Sequence, residues 1–155
     1  MPPPAWAAQA GGGDTNRLGI TGFCWGGRIT WLYAAHNPNL RAGVAWYGRL
    51  TGNTTREQPS GPLDLADRIK APVLGLYGGK DDGIPLETVE RMQAALTAAD
   101  SRSEIVIYAD APHGFHADYR PSFRPVAAAD GWSRLQAWLR AMGLADIRSC
   151  LELSR

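Results

Sequence analysis

Short apolar runs alternating with helix-compatible stretches predict an α/β fold, with a mostly parallel sheet and helices on both faces. Three observations carry that expectation. Apolar runs recur at residues 17–23, 42–48, 71–79 and 103–110. Helical spacing of apolar residues fills two of the intervals between and after them. Side chains able to do covalent chemistry stand just after the runs, where open parallel sheets bind ligands.

The elements follow in order. "RLGITGF", 17–23, suits a buried strand with glycine near its end. "GGRITWLYAAH", 26–36, is helix-compatible and is stopped by "NPN". "AGVAWYG", 42–48, is the second strand. The polar stretch 49–64 has no periodicity and predicts a long loop, which in a compact domain is often functional. "LADRI" predicts a helical turn and "APVLGLYGG", 71–79, a buried strand broken at Gly78-Gly79. Leu86, Val89, Met92 and Leu96 lie at helical spacing, with Glu87 and Arg91 as an i,i+4 pair. "SEIVIYAD", 103–110, is a β-branched strand. The longest helix is expected over 123–142, burying Ala128, Trp132, Leu135, Leu139 and Met142.

Composition bounds the function. The 155 residues suit one domain, able to bury roughly 70% of its unfolded surface. A net charge of +1 without blocks of like charge disfavours nucleic acid or an anionic membrane as main partner. No apolar run approaches a bilayer span, and the opening residues lack the pattern of a signal peptide. Cys24 and Cys150 lie far apart and resemble neither a disulfide framework nor a metal site. A cytoplasmic setting is expected.

The chemistry centres on "GITGFCWGGRIT", where Cys24 stands between Gly22 and Gly26 at a strand-to-helix turn. That is the spacing of a nucleophile elbow, in which a sharp turn exposes the nucleophile. The flanking glycines are expected because a Cβ at either would collide with a neighbouring element. Asp81 and Asp82 follow the third strand, and His113 follows the fourth in "DAPHGFH". The chain order nucleophile, acid, histidine is that of α/β-hydrolases. Imidazole can take the thiol proton, and a carboxylate can hold its tautomer. Asp81 is preferred over Asp82 for that task. The backbone N–H of Trp25, next after the nucleophile, is the natural oxyanion donor. Trp46, Tyr47, Arg49 and Arg120 are expected around a substrate pocket, with His116 at its rim. His36 ends a helix, where a cation complements the dipole. Cys150 is expected to be inert.

The pieces "GFCWGG", "GGKDDGIP", "APHGFHADYRPSF" and "AAADGW" together resemble the dienelactone hydrolase family, over Leu18 to Leu144. The resemblance implies a partial α/β-hydrolase fold and a Cys24, Asp81, His113 triad. It also implies cofactor-free hydrolysis of an ester or lactone. The best-known members hold a substrate carboxylate with arginines, one of them four residues after the histidine. That position is Ala117 here, and Arg49 or Arg120 is the expected substitute.

The resemblance further implies strands ahead of residues 17–23, together with a second oxyanion N–H and a glutamate beside the nucleophile. The chain is therefore expected to be the C-terminal portion of such a domain. Residues 1–16 would be a lead-in from a preceding helix, 17–144 the hydrolase portion and 145–155 a tail. The first strand would be an exposed edge, prone to self-association. Lacking one oxyanion donor typically costs about 100- to 1,000-fold in rate. Two alternatives stay open: an impaired, non-enzymatic remnant that completes an oligomer, and a redox-sensing cysteine.

Overall fold

The computed structural model describes residues 3–11, 13–52 and 54–144. The tail 145–155, with Cys150, lies outside them, as do Met1, Pro2, Gly12 and Asn53. Helix α1 (Pro3–Gly11) leads in, and the order then runs β1 (Gly19–Phe23), α2 (Trp25–His36) and β2 (Ala42–Trp46). A 3-10 turn at Leu63–Arg68 precedes β3 (Val73–Gly78), α3 (Leu86–Ala98), β4 (Glu104–Tyr108) and α4 (Pro125–Ala141). The described strands form one sheet in the order β1-β2-β3-β4, and every pairing is parallel.

Burial explains the strand sequences. β2 and β3, central among the described strands, are buried at every position. That is why "AGVAW" and "VLGLYG" carry no alternation of polar and apolar residues. β1 and β4 are the sheet's edges among the described residues and are only part-buried. Helix α2 packs on β1 and β2, while α4 packs on β2 and β3. α4 comes close because Gly131 leaves room for the Trp46 ring, 2.7 Å from where a Cβ would stand. On the α2 side, Trp31 Nε1 donates to the Tyr77 hydroxyl (2.9 Å), which donates to the Gly48 carbonyl (2.9 Å). That buried relay ties α2, β3 and the end of β2 together. Fully buried Trp31, Trp46, Tyr77 and Phe115 form the bulk of the core. Each such side chain contributes about 1.5–3 kcal/mol relative to exposure.

Four expectations need correction. The first strand starts at Gly19 rather than at residue 17, and α2 starts at Trp25, directly after Cys24. α4 starts at Pro125, whose fixed φ suits the first helical turn, rather than at Phe123. The buried stripe of α4 is Ala128, Gly131, Leu135 and Trp138, whereas Trp132 is 46% exposed. The stripe is rotated from the expected one because Gly131, which has no side chain to signal it, makes the closest approach to the sheet. No described helix is long and apolar enough to cross a membrane.

Candidate active site

Cys24 occupies the turn between β1 and α2 with φ 55° and ψ −115°, a backbone conformation that costs a non-glycine residue about 1–3 kcal/mol. Two bonds hold it there: its N–H donates to the Trp46 carbonyl (2.9 Å), and its own carbonyl accepts from Arg28 N–H (3.2 Å). Gly22 is required, since a Cβ would fall on the carbonyl group of Gly26. Gly26 is a correction. A Cβ there would meet nothing within 4 Å, whereas one on Gly27 would lie 2.5 Å from the Trp46 carbonyl oxygen. The helix turns position 26 away from β2 and points position 27 at it. The thiol itself is exposed.

Two further loops bring their side chains to Cys24. His113 Nε2 lies 3.2 Å from Cys24 Sγ, and His113 Nδ1 lies 2.7 Å from Asp81 Oδ2. An ionised carboxylate only accepts, so Nδ1 donates to it and Nε2 is left to accept the thiol proton. Asp81 is fixed by its own loop: Oδ1 accepts from the N–H groups of Gly83 (2.9 Å) and Ile84 (3.1 Å). Its side chain is 1% exposed, against 36% for His113. Asp82 faces solvent. The acid loop and the histidine loop can approach because Gly78 carries no Cβ, which would strike the Ala111 carbonyl. Lys80 N–H donates to that same carbonyl (3.0 Å).

A cavity of about 550 Å³ opens over Cys24 and His113. Trp25, Tyr47 and Arg49 line it. Trp25 is 67% exposed. Its N–H, in the first helical turn, has no intrahelical acceptor. Tyr47 sits at φ 36°, buried, with its ring 5.1 Å from that of His113. Burial first, then nearby Cys24, pushes its phenol up to about 12.

Trp46, His116 and Arg120 are not in the cavity wall. Trp46 is fully buried beneath it. His116 packs on Phe23, Trp46 and Trp132, with ring centroids 5.2, 4.5 and 5.9 Å away. Burial holds the His116 imidazole below its usual value, against a smaller opposing pull from Asp118. Arg120 turns outward over the Tyr119 ring, 5.4 Å from its centroid.

The residue that sequence reasoning missed is Arg28. It lies one helical turn after Cys24, so i,i+4 spacing could have found it. It lines the cavity yet is only 6% exposed, and its Nη1 donates to the carbonyls of Arg49 and Thr51 (3.1 Å each). Burial and then Arg49 hold its guanidinium below the usual arginine range, with Asp64 opposing.

A parallel α/β sheet with a strained elbow cysteine facing a histidine and an aspartate from later loops defines an α/β-hydrolase fold. The sequence profile of the dienelactone hydrolase family matches residues 5–143, and the chain belongs to that family. A Methylorubrum extorquens protein named "Putative carboxymethylenebutenolidase" is 60% identical over 141 residues, 91% of this chain and 48% of that protein. A crystal structure described as a "Putative Dienelactone Hydrolase", from Klebsiella pneumoniae, is 58% identical with a TM-score of 0.85. The match covers 88% of this chain and 57% of that one. The acylaminoacyl peptidase of Pyrococcus horikoshii shares the fold alone, at 18% identity and a TM-score of 0.72 over 88% of this chain and 26% of that one. The chain spans about half the length of the curated relatives it matches.

Proposed function

We propose that the chain carries the catalytic cysteine, acid and histidine of a cofactor-free thiol hydrolase acting on esters or lactones. The observation that carries this reading is the row Cys24–His113–Asp81, spaced at 3.2 and 2.7 Å. His113 Nε2 takes the Cys24 proton as the thiolate adds to the carbonyl carbon, forming a C–S bond and an oxyanion. The Trp25 N–H, at the start of α2, supports that oxyanion. Collapse breaks the C–O bond, and His113 returns the proton to the leaving oxygen. Water, deprotonated by His113, then adds to the thioester, and the C–S bond breaks to release acid and thiol. Asp81 holds Nδ1 protonated and steadies the imidazolium.

The test is mass spectrometry of the chain quenched during turnover of 4-nitrophenyl acetate. An acetyl adduct on Cys24 that is absent on Cys150, and absent after His113→Ala, is the expected result. Hydrolysis with no adduct on Cys24, or equal labelling of both cysteines, would overturn the reading.

A second reading rests on β1, which pairs only with β2 among the described residues and has exposed Phe23 and Trp25 beside it. Here the chain self-associates through that edge, as unpaired strand edges do. Sedimentation velocity of the chain and of Thr21→Lys checks this. A monomer at all concentrations rules it out.

A further inference from the structure

A second cavity, of about 520 Å³, opens at the amino edge of the sheet, the edge opposite Cys24. Four cations line it, Arg41, Lys70, Arg102 and Arg140, and no aspartate or glutamate does. The chain as a whole has 16 basic and 15 acidic residues, so the cavity reflects local segregation of charge and not a basic protein's average surface. Each cation comes from a different part of the fold. Arg41 leads into β2, Lys70 precedes β3, Arg102 precedes β4 and Arg140 stands in the last turn of α4. The ion pairs among the described residues use Lys80, His113 and Arg134, and none of these four. Asp67 and Glu104 line neighbouring hollows and pair with none of them.

Helix ends do not absorb this charge. At the end of α4, Arg17 takes the Gly143 and Leu144 carbonyls and Arg41 that of Met142. The end of α3 is closed by backbone alone: the N–H groups of Ala99, Asp100 and Ser101 donate to the carbonyls of Ala95 (3.0 Å), Thr97 (3.1 Å) and Leu96 (2.9 Å). Of the four lining side chains, only that of Arg41 has an acceptor among the described residues, through Nη2. Arg41 is also pinned at its backbone, whose N–H donates to the Leu18 carbonyl (2.9 Å). Its guanidinium is thus in place before any ligand arrives, which lowers the cost of binding. Beneath the cations lie Leu40, Ala71 and Pro72, all buried. Charges of one sign over low-dielectric walls focus their field on the space between them.

We propose that this cavity binds a small anion carrying two phosphate groups, at a site separate from the cysteine, acid and histidine. A phosphate group carries about −1.5 to −2 charges at neutral pH, so two of them balance four cations where a single carboxylate balances one. The three arginines offer planar forks to phosphate oxygens, and Lys70 adds a point charge. The volume falls within the range of roughly 300–1,000 Å³ usual for small-molecule sites. Binding here needs no reaction at Cys24 and does not rest on the hydrolase reading.

Isothermal titration of the full chain with inorganic pyrophosphate, orthophosphate and citrate tests the proposal. Pyrophosphate is expected to bind roughly tenfold or more tightly than orthophosphate, the gain from additional charged hydrogen bonds. Citrate is expected to be weaker than pyrophosphate, and binding of the two with equal affinity overturns the assignment to phosphate. Arg102→Gln and Arg140→Gln change side chains without an acceptor among the described residues, so the fold should tolerate both. Each is expected to weaken pyrophosphate binding by roughly tenfold. Arg91→Gln, on the exposed face of α3, removes the same net charge elsewhere and is expected to leave affinity unchanged. Equal weakening by all three variants would mean a general charge effect and overturn the site. Binding lost in Arg49→Ala and kept in Arg102→Gln would put pyrophosphate beside Cys24, which also overturns it. So does an absence of pyrophosphate binding at millimolar concentration.

Discussion

The two ends of the sheet carry opposite chemistry from the same architectural cause. At the carboxyl edge the strands deliver Cys24, Asp81 and His113, and α2 begins with its unpaired N–H groups. At the amino edge every described strand is preceded by a cation: Arg17 before β1, Arg41 before β2, Lys70 before β3 and Arg102 before β4. Helices end there, so carbonyl oxygens accumulate where N–H groups stand at the other end. Arg17 donates to the carbonyls of Gly143 (3.3 Å) and Leu144 (3.4 Å), and Arg41 to that of Met142 (3.5 Å), all at the end of α4. Arg140 and His36 stand in the last turns of α4 and α2. A cavity of about 520 Å³ lies among Arg41, Lys70, Arg102 and Arg140, of which Arg41 reaches the end of α4 and Arg140 stands in its last turn. Arg17 and Arg41 serve that helix end and stabilise the fold, whereas Arg28 and Arg49 at the carboxyl edge have no helix end to serve.

That contrast can be broken most sharply by chemistry. Cys24→Ala or His113→Ala is expected to lower kcat for 4-nitrophenyl acetate by about a ten-thousandfold or more, and Asp81→Asn by about a ten-thousandfold. Steady-state kinetics on the purified variants checks this. For Cys24→Ala and His113→Ala stability should change little, because the thiol and much of the imidazole face solvent.

The elbow offers a smaller, structural contrast. Gly27→Ala is expected to cost about 1–3 kcal/mol, because the Trp46 carbonyl must shift to admit the methyl group. Gly26→Ala has open space and is expected to gain up to about 1 kcal/mol from helix propensity. Urea denaturation of the pair decides it, and equal losses would contradict the assigned roles. Smaller still, Arg41→Ala at the amino edge should cost about 0.3–1 kcal/mol while leaving hydrolysis unchanged.

The least effect is one of pH. Burial depresses the His116 pKa in the folded chain, so below its ordinary value the unfolded chain binds the proton more readily. Stability from this group is complete above a pH of about 6.5 and declines as pH falls through the depressed folded value. His116→Phe should flatten that part of a denaturation-midpoint profile against pH.

Much of this was legible in the residues alone. β-branched and glycine-ended runs marked the strands, and the order of Cys24, Asp81 and His113 placed them on one edge. Local pattern could not show which of Gly26 and Gly27 is crowded, since that depends on where the β2 carbonyls lie. Nor could it show that Trp138 rather than Trp132 enters the core, because the turn of α4 about its axis is set by Gly131 against Trp46. Arg28 was hidden for a related reason. An arginine on a helix reads as a solvated side chain until the segment after β2 is seen folding over it.

The anchoring of that segment bears on how new specificity could be grafted onto the chain. Arg28 grips the backbone only as far as Thr51, and residues 52–60 beyond it, where described, are mostly exposed. Loop exchange, insertion or randomisation over residues 52–60 therefore rewrites the cavity's outer wall while leaving the sheet, the elbow and the bonds of Arg28 in place. A library confined to that stretch would explore substrate range at little risk to folding.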